Sequence, residues 1–379
     1  MDILLTEEER MFKQTMRAFA DRELKPYAAE VDRRNEFNWD GFRKMGAIGL
    51  MGLIIPQEYG GQGSSYVDLY IAMEEVARAC ASTSVTLTNG GDLSLRIIYD
   101  YGTEEQRQRY VVPAAKGEKL CCYALTEREA GSDTSGIMTT ATRIGNHWVL
   151  NGAKCFITNG DVADIIIVWA TVDKSLGNEG ITAFLVEKGT PGLSVGRIEH
   201  KLGMRGSSTV ELFFNDCHIP EENLLGEVGK GLRSALGGLD IGRLSIAGQA
   251  VGIAQAALEA SVAYVKERKQ FGQTLAEFQA IQWMIVDMST AIDAARLLAY
   301  HAARTGDAGK RFTQEAAQAK VLASETAMDV TRKAIQIHGG YGYMDDLPLE
   351  RYYREAKITE IYEGTNEICR IVAARSLLR

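Results

Sequence analysis

The chain has 379 residues, too many for one small core, so two or three packed units are expected. It is 46% hydrophobic and 24% charged, as ordinary globular proteins are, and its formal charge of −8 disfavours a general nucleic-acid or acidic-membrane binder. Asp2, Glu7, Glu8 and Glu9 stand where a signal or transit peptide would carry bases, and apolar runs such as 165–170 are strand-sized; a cytoplasmic protein without membrane insertion is expected.

The first region, residues 1–120, reads as helical. Thr6 and Glu9 form a capping box, and Met11, Phe12, Thr15, Met16 and Phe19 follow at helical spacing. Pro56 and Gly60-Gly61-Gln62-Gly63 mark a loop before a second helix over 66–80. In Asn89-Gly90-Gly91-Asp92, the acid reads as turned to solvent or paired with Arg96 at i+4.

Over 121–230 the period becomes that of strands. His147-Trp148-Val149-Leu150, Asn151-Gly152 and Ala153-Lys154-Cys155-Phe156-Ile157 have the pattern of a tight hairpin. Further strands are expected at 165–170, 181–186 and 210–214. With no helices between them, they predict an antiparallel barrel or sandwich. Residues 231–379 are helical again: Phe278, Ile281, Ile285, Met288, Ile292 and Ala295 form the seam of a bundle helix. The fold class is α+β, with an N-terminal helical domain, a central β domain and a C-terminal four-helix bundle.

Cys80, Cys121, Cys122, Cys155, Cys217 and Cys369 show no C-x-x-C spacing, and reduced, mostly buried thiols are expected. His147, His200, His218, His301 and His338 form no H-x-x-x-H pair, so neither a zinc site nor a histidine-based triad is predicted. Three segments carry other chemistry. In Tyr123-Ala124-Leu125-Thr126-Glu127-Arg128-Glu129-Ala130-Gly131-Ser132-Asp133, hydroxyls and small residues can line a planar or phosphorylated ligand. Gln336-Ile337-His338-Gly339-Gly340-Tyr341-Gly342-Tyr343 offers backbone amides to a pyrophosphate, outside any Rossmann context. Ile361-Tyr362-Glu363-Gly364-Thr365 sets a carboxylate between an aromatic ring and a glycine. Alone, Glu363 reads as an acid in a turn; in a site that excludes water it becomes a base for a weakly acidic C–H.

In this order, around a central β region, the three segments resemble the acyl-CoA dehydrogenase family across essentially the whole chain, most closely its bacterial short-chain, butyryl-CoA type. The resemblance implies FAD as cofactor and Glu363 as the base that takes the α-proton of an acyl-CoA. It sets Tyr123, Leu125, Thr126, Phe156 and Thr158 around the flavin ring, and Gly131 and Ser132 near FAD and the CoA chain. Arg268, Phe271, Gln336 and Gly340 would reach the FAD of a neighbouring subunit, and Thr365 and Glu367 would also approach FAD. Asp240 and Arg243 would contact CoA; on spacing alone they form an i, i+3 surface salt bridge. The backbone N–H at Glu363, next to Gly364, would hold the thioester carbonyl. Some relatives carry the base just before the CoA-contacting arginine; here that position is Gly242, which cannot serve.

The resemblance also bears on substrate and partners. Ser84 falls where glutaryl-CoA members carry an arginine, which disfavours a dicarboxylic substrate. Asp92 aligns with a position, often serine, that lines the acyl cavity, opening the reading of a wider, alicyclic acyl chain. Implied partners are electron-transferring flavoprotein and three further copies in a homotetramer. Rival readings are an enoyl-CoA reductase, an oxidase, a non-catalytic flavin or acyl-CoA binder, and a helical scaffold.

Overall fold

The computed structural model describes residues 5–378; the first four residues of the acidic N-terminal stretch lie outside it. Helix α1 (Glu7–Glu23) starts at the expected capping box. The Glu9 amide donates to Thr6 Oγ1 at 3.2 Å, and Glu9 Oε2 accepts from the Thr6 amide at 2.9 Å. The same carboxylate takes two bonds of 2.6 Å from Arg304, tying this cap to the C-terminal bundle. Helix α2 (Tyr66–Ala79) opens on a second box, Ser65 with Asp68, and is almost wholly buried.

After α2 come α3 (Ala81–Thr86), a π-helical turn (Leu87–Leu93) and α4 (Ser94–Tyr101). The expected exposed turn at Asn89-Gly90-Gly91-Asp92 is thus a buried helical bulge. Arg96 pairs with Asp100 instead, at 2.9 Å, and Asp92 is 1% exposed. A Cβ at Gly90 would lie 2.6 Å from Leu120 Cδ1, which shows how closely the bulge packs on the β region.

The central region is one sheet of β1 (Cys121–Ala124), β2 (Thr140–Ile144), β3 (His147–Thr158), β4 (Ile165–Thr171), β5 (Ile181–Glu187), β6 (Leu193–Ile198), β7 (Thr209–Pro220) and β8 (Leu224–Leu225). Its order is β6-β7-β3-β2-β4-β5-β8, with β1 on β4. The pairing is mixed rather than wholly antiparallel: β1 runs parallel to β4, Cys121 opposite Ile165, because the chain crosses over between them. The expected hairpin at Asn151-Gly152 is corrected, since both lie inside the continuous strand β3. The turn falls earlier, at Gly145-Asn146, with Ile144 opposite His147. Asn151 sits where the β3–β7 register slips, and its side chain bonds Asp216 at 3.1 and 2.8 Å. A Cβ at Gly152 would stand 2.6 Å from Thr139 Oγ1. Asn-Gly therefore makes a bulge and a close approach here.

The C-terminal bundle consists of α5 (Gly231–Glu267), α6 (Gln279–Asp307), α7 (Thr313–His338), α8 (Leu349–Ile358) and α9 (Asn366–Leu377). Of the α6 seam, Met288, Ile292 and Ala295 are fully buried, whereas Ile281 and Ile285 are half-buried. Helix α5 is long and apolar enough to cross a membrane by length and composition, a feature not seen in the sequence, where small and polar residues interrupt it. In this fold 67% of that window is packed inside the protein. Among the described residues all six cysteines are free, five of them buried.

Arg296 of α6 binds both oxygens of Glu74 from α2 and also Gln255 of α5 at 2.9 Å. Removing one member of such a buried pair leaves a stranded charge. Arg296→Met is expected to lower unfolding stability by about 3–5 kcal/mol, checked by urea denaturation.

Candidate active site

Glu363 lies in the short connection between α8 and α9. Two consecutive left-handed residues, Glu363 (φ +55°) and Gly364 (φ +89°), turn the chain there. Thr365 then caps α9, its hydroxyl accepting from the Ile368 amide at 3.3 Å. Glycine adopts such a φ freely; a glutamate does so only where its surroundings impose it. The turn aims the carboxylate at α5: a Cβ built on Gly242 would meet Glu363 Oε2 at 2.5 Å and Cδ at 3.1 Å. Glu363 is half-buried as a residue, yet Oε2 is shut off from solvent and has no hydrogen-bond partner. Burial pushes its pKa up to about 7, against the opposing pull of the Arg243 and Lys320 cations.

The surrounding groups converge from α3, the π-helical turn, α5 and α7. Arg243, 4% exposed, pairs with Asp240 at 3.2 Å, the i, i+3 bridge that spacing alone implied; the other Asp240 oxygen accepts from Thr313. Arg243 Nε is a buried donor without a partner. The Tyr362 hydroxyl donates to Gln249, whose amide donates to Ser84 Oγ at 2.7 Å. Ser84 is therefore buried in an uncharged chain of hydrogen bonds. Asp92, on the π-helical turn, accepts from Ser245, one helical turn beyond Gly242, and from the Leu93 amide at 2.7 Å. Burial holds the Asp92 carboxyl well above the usual range; those two bonds oppose the shift and the Glu363 charge adds to it.

A second group gathers on the sheet facing α5. The Tyr123 ring packs on Trp169, centroids 4.4 Å apart, and its hydroxyl reaches the Ala235 carbonyl at 3.3 Å. Leu125 is buried, and the Thr126 carbonyl accepts from the Cys155 amide at 3.0 Å, placing Thr126 by the stretch of β3 that carries Phe156, with Thr158 at the end of the same strand. Phe156 has φ +57° and is 65% exposed, an aromatic face held outward. Gly131 and Ser132 are exposed, with open space around the Gly131 Cα. Behind them lies a pair that sequence reasoning missed. Lys154 Nζ donates to Glu127 at 2.7 Å and to the Leu125 carbonyl at 3.0 Å, and Glu127 also accepts from the Met138 and Thr139 amides. Nothing in the strand pattern signalled it, since Gly152, Ala153 and Phe156 around Lys154 are exposed.

Arg268, Gly340 and Tyr341 line a surface pocket with Tyr264 and His338. The Arg268 guanidinium stands 5.6 Å from the Tyr341 ring centre. Phe271 is almost wholly exposed, and Gln336 at the end of α7 and Glu367 in the first turn of α9 are exposed. Arg243 and Arg268 are separated by 25 residues of sequence, almost all on α5, roughly 38 Å at the helical rise. The predicted cofactor residues thus form two separate clusters. Both fit FAD: exposed aromatic faces and hydroxyls suit a planar ring, while a cation and open glycine backbone at Gly339 and Gly340 suit a pyrophosphate.

The chain thus runs helical, then β, then helical, and carries a buried carboxylate oxygen without a partner. Comparison with known proteins gives its family. The N-terminal, middle and C-terminal domains of acyl-CoA dehydrogenases match residues 6–118, 122–217 and 229–378. The chain belongs to the acyl-CoA dehydrogenase family, FAD-dependent oxidoreductases acting on CH–CH groups, and is of short-chain type. It is 48% identical to the short-chain specific acyl-CoA dehydrogenase of Clostridium acetobutylicum, over the full length of both. Butyryl-CoA dehydrogenase from Megasphaera elsdenii has the same fold, with a TM-score of 0.96, 44% identity and 99% of each chain covered. A chain solved in work on the electron transferring flavoprotein of Acidaminococcus fermentans superposes with a TM-score of 0.98 at 48% identity, covering 100% of both chains.

Proposed function

We propose that this protein dehydrogenates a short acyl-CoA between its α and β carbons, with Glu363 as the base. The observation that carries this is the Glu363 carboxylate: closed off from water, one oxygen unpartnered, and seated against a glycine that alone leaves it room. Such a group is a strong base toward carbon once ionised. The Glu363 backbone N–H, in a left-handed turn, holds the thioester carbonyl and stabilises enolate-like charge as the α-proton leaves. Arg243 and Asp240 contact CoA, and Ser132 lies along its chain. FAD, when bound, supplies the acceptor for the β-hydrogen and its electron pair. Tyr123, Leu125, Thr126, Phe156 and Thr158 hold its ring in line, with Gly131, Ser132, Thr365 and Glu367 around it. Anaerobic mixing with butyryl-CoA should bleach the flavin; a flavin left oxidised would contradict the assignment.

Arg268 stands roughly 38 Å along α5 from Arg243, so the two groups lie at opposite parts of that helix. This supports a homotetramer in which Arg268, Phe271, Gln336 and Gly340 serve the FAD of a neighbouring copy. The exposed Trp283 and Val286 of α6, each at least 60% exposed, offer apolar surface for such contacts. Electron-transferring flavoprotein is the proposed electron acceptor. The same base serves enoyl reduction, so the potentials of the bound couples set the direction.

The burial of Asp92, which accepts from Ser245 one helical turn beyond Gly242, favours a second reading of the substrate: an acyl cavity with a polar end that takes an alicyclic chain, although Gly90 and Gly91 pack against Leu120 and Met51 and add no room themselves. Asp92→Ser should raise kcat/KM for butyryl-CoA relative to cyclohexanecarbonyl-CoA by about tenfold, the scale of one buried polar contact. An unchanged ratio removes Asp92 from specificity.

A further inference from the structure

Lys320 lies midway along α7, on the stripe of Ala316, Ala319, Ala323 and Ala327, and is wholly buried. A lysine there needs partners, and both are in the catalytic turn. Its Nζ donates to the Gly364 carbonyl at 2.9 Å and to Asn366 Oδ1 at 2.8 Å. Ser324, one turn further along α7, fixes the Asn366 amide at 3.0 Å, and Cys369 Sγ approaches the same Gly364 carbonyl at 3.5 Å. The Glu363 Oε2 atom has no partner of its own, so hydrogen bonding at that oxygen does not hold it against Gly242. Its place is set by the backbone of two left-handed residues, a conformation that persists only when neighbours over-determine it.

We infer that Lys320 is a positioning residue for catalysis: its ammonium tethers the 363–366 turn to α7 and, as a buried cation, favours the ionised form of Glu363. This rests on Glu363 being the base. The ion sits among few others. Cys369, Glu363 and Glu360 face Lys320, as does Arg243 from α5; Glu363 itself faces Arg243, Lys320, Asp92, Tyr123 and Tyr362. Burial brings the Lys320 pKa down to about 8, with Cys369 and Glu363 opposing, so it is still mostly charged at neutral pH. Removing that charge raises the pKa of Glu363, and the acidic limb of flavin reduction moves to higher pH. A residue that merely filled space would leave that limb where it was.

The test uses the FAD-loaded protein with Lys320→Met, of similar volume without charge, and Lys320→Gln, which keeps a donor but no charge. Each is mixed anaerobically with butyryl-CoA from pH 5.5 to 9 while flavin absorbance is followed, and amide hydrogen exchange is read over 360–366. Lys320→Met should slow reduction at pH 7 at least tenfold, speed exchange in the turn and move the limb upward; Lys320→Gln should move the limb with a smaller loss of rate. If Lys320→Met does not fold, the limb of Lys320→Gln decides. Limbs unmoved in the folded variants overturn the role of Lys320 while leaving Glu363 as base. Turnover retained in Glu363→Gln overturns the base itself.

Discussion

Glu363→Gln should fold, bind FAD and give a flavin that butyryl-CoA no longer bleaches, the rate of reduction falling by about four orders of magnitude. That is the upper range for loss of a general base. Glutamine has nearly the shape of glutamate, so the turn between α8 and α9, the Thr365 cap and the Lys320 tether keep their contacts. Stability should not suffer either. The native carboxylate is buried and its pKa is raised, so a neutral amide relieves a desolvation cost. Stopped-flow reduction combined with the flavin spectrum of the purified variant separates lost chemistry from lost cofactor. A spectrum like that of the parent with a dead reductive phase is the expected pair of results.

Gly242→Ala should lower flavin reduction about a hundredfold while leaving the fold intact. The added methyl would stand 2.5 Å from Glu363 Oε2 and 3.1 Å from Cδ, and the carboxylate, as the free end of a side chain, is what yields. Displacing a catalytic group by about 1 Å costs on the order of 10²-fold. Folding has little reason to suffer, because alanine is favoured over glycine inside a helix by about 1 kcal/mol and Gly242 lies well inside α5. Thermal melts and reduction rates measured on one preparation distinguish this from general damage. A stable protein with slow chemistry is expected.

The two cases show why parts of the site were legible from the chain and others were not. Glu363 alone read as an acid in a turn; only together with the two other segments, and the family they resemble, did it stand out as a base. Gly242 was readable only as the absence of a rival base. That it also makes room for the carboxylate became visible once α5 and the 363–366 turn were packed together. Thr6 with Glu9 set the start of α1 because a capping box is local chemistry. Asn151-Gly152 misled because the same pair suits a two-residue turn and a bulge, and only the cross-strand partner, Asp216, decides between them. Asp92 was misplaced in its bland reading because two glycines suggest a loop, whereas here they let a π-helical turn press against Leu120 and Met51. Lys154 and Lys320 were passed over because a lone lysine normally belongs to the surface; their partners, Glu127 and the Gly364 carbonyl, lie 27 and 44 residues away in sequence.

The central claim is that Glu363, as a carboxylate, takes the α-proton. It is tested most directly by the pH dependence of flavin reduction under anaerobic mixing with butyryl-CoA, parent and Glu363→Gln side by side. Because the base works only when ionised and its pKa is raised to about 7, the rate in the parent should fall as pH drops below about 7 and level off above it. Glu363→Gln should stay near zero throughout. A parent rate that is flat down to pH 5.5, or a variant that reduces its flavin at a comparable rate, would contradict it.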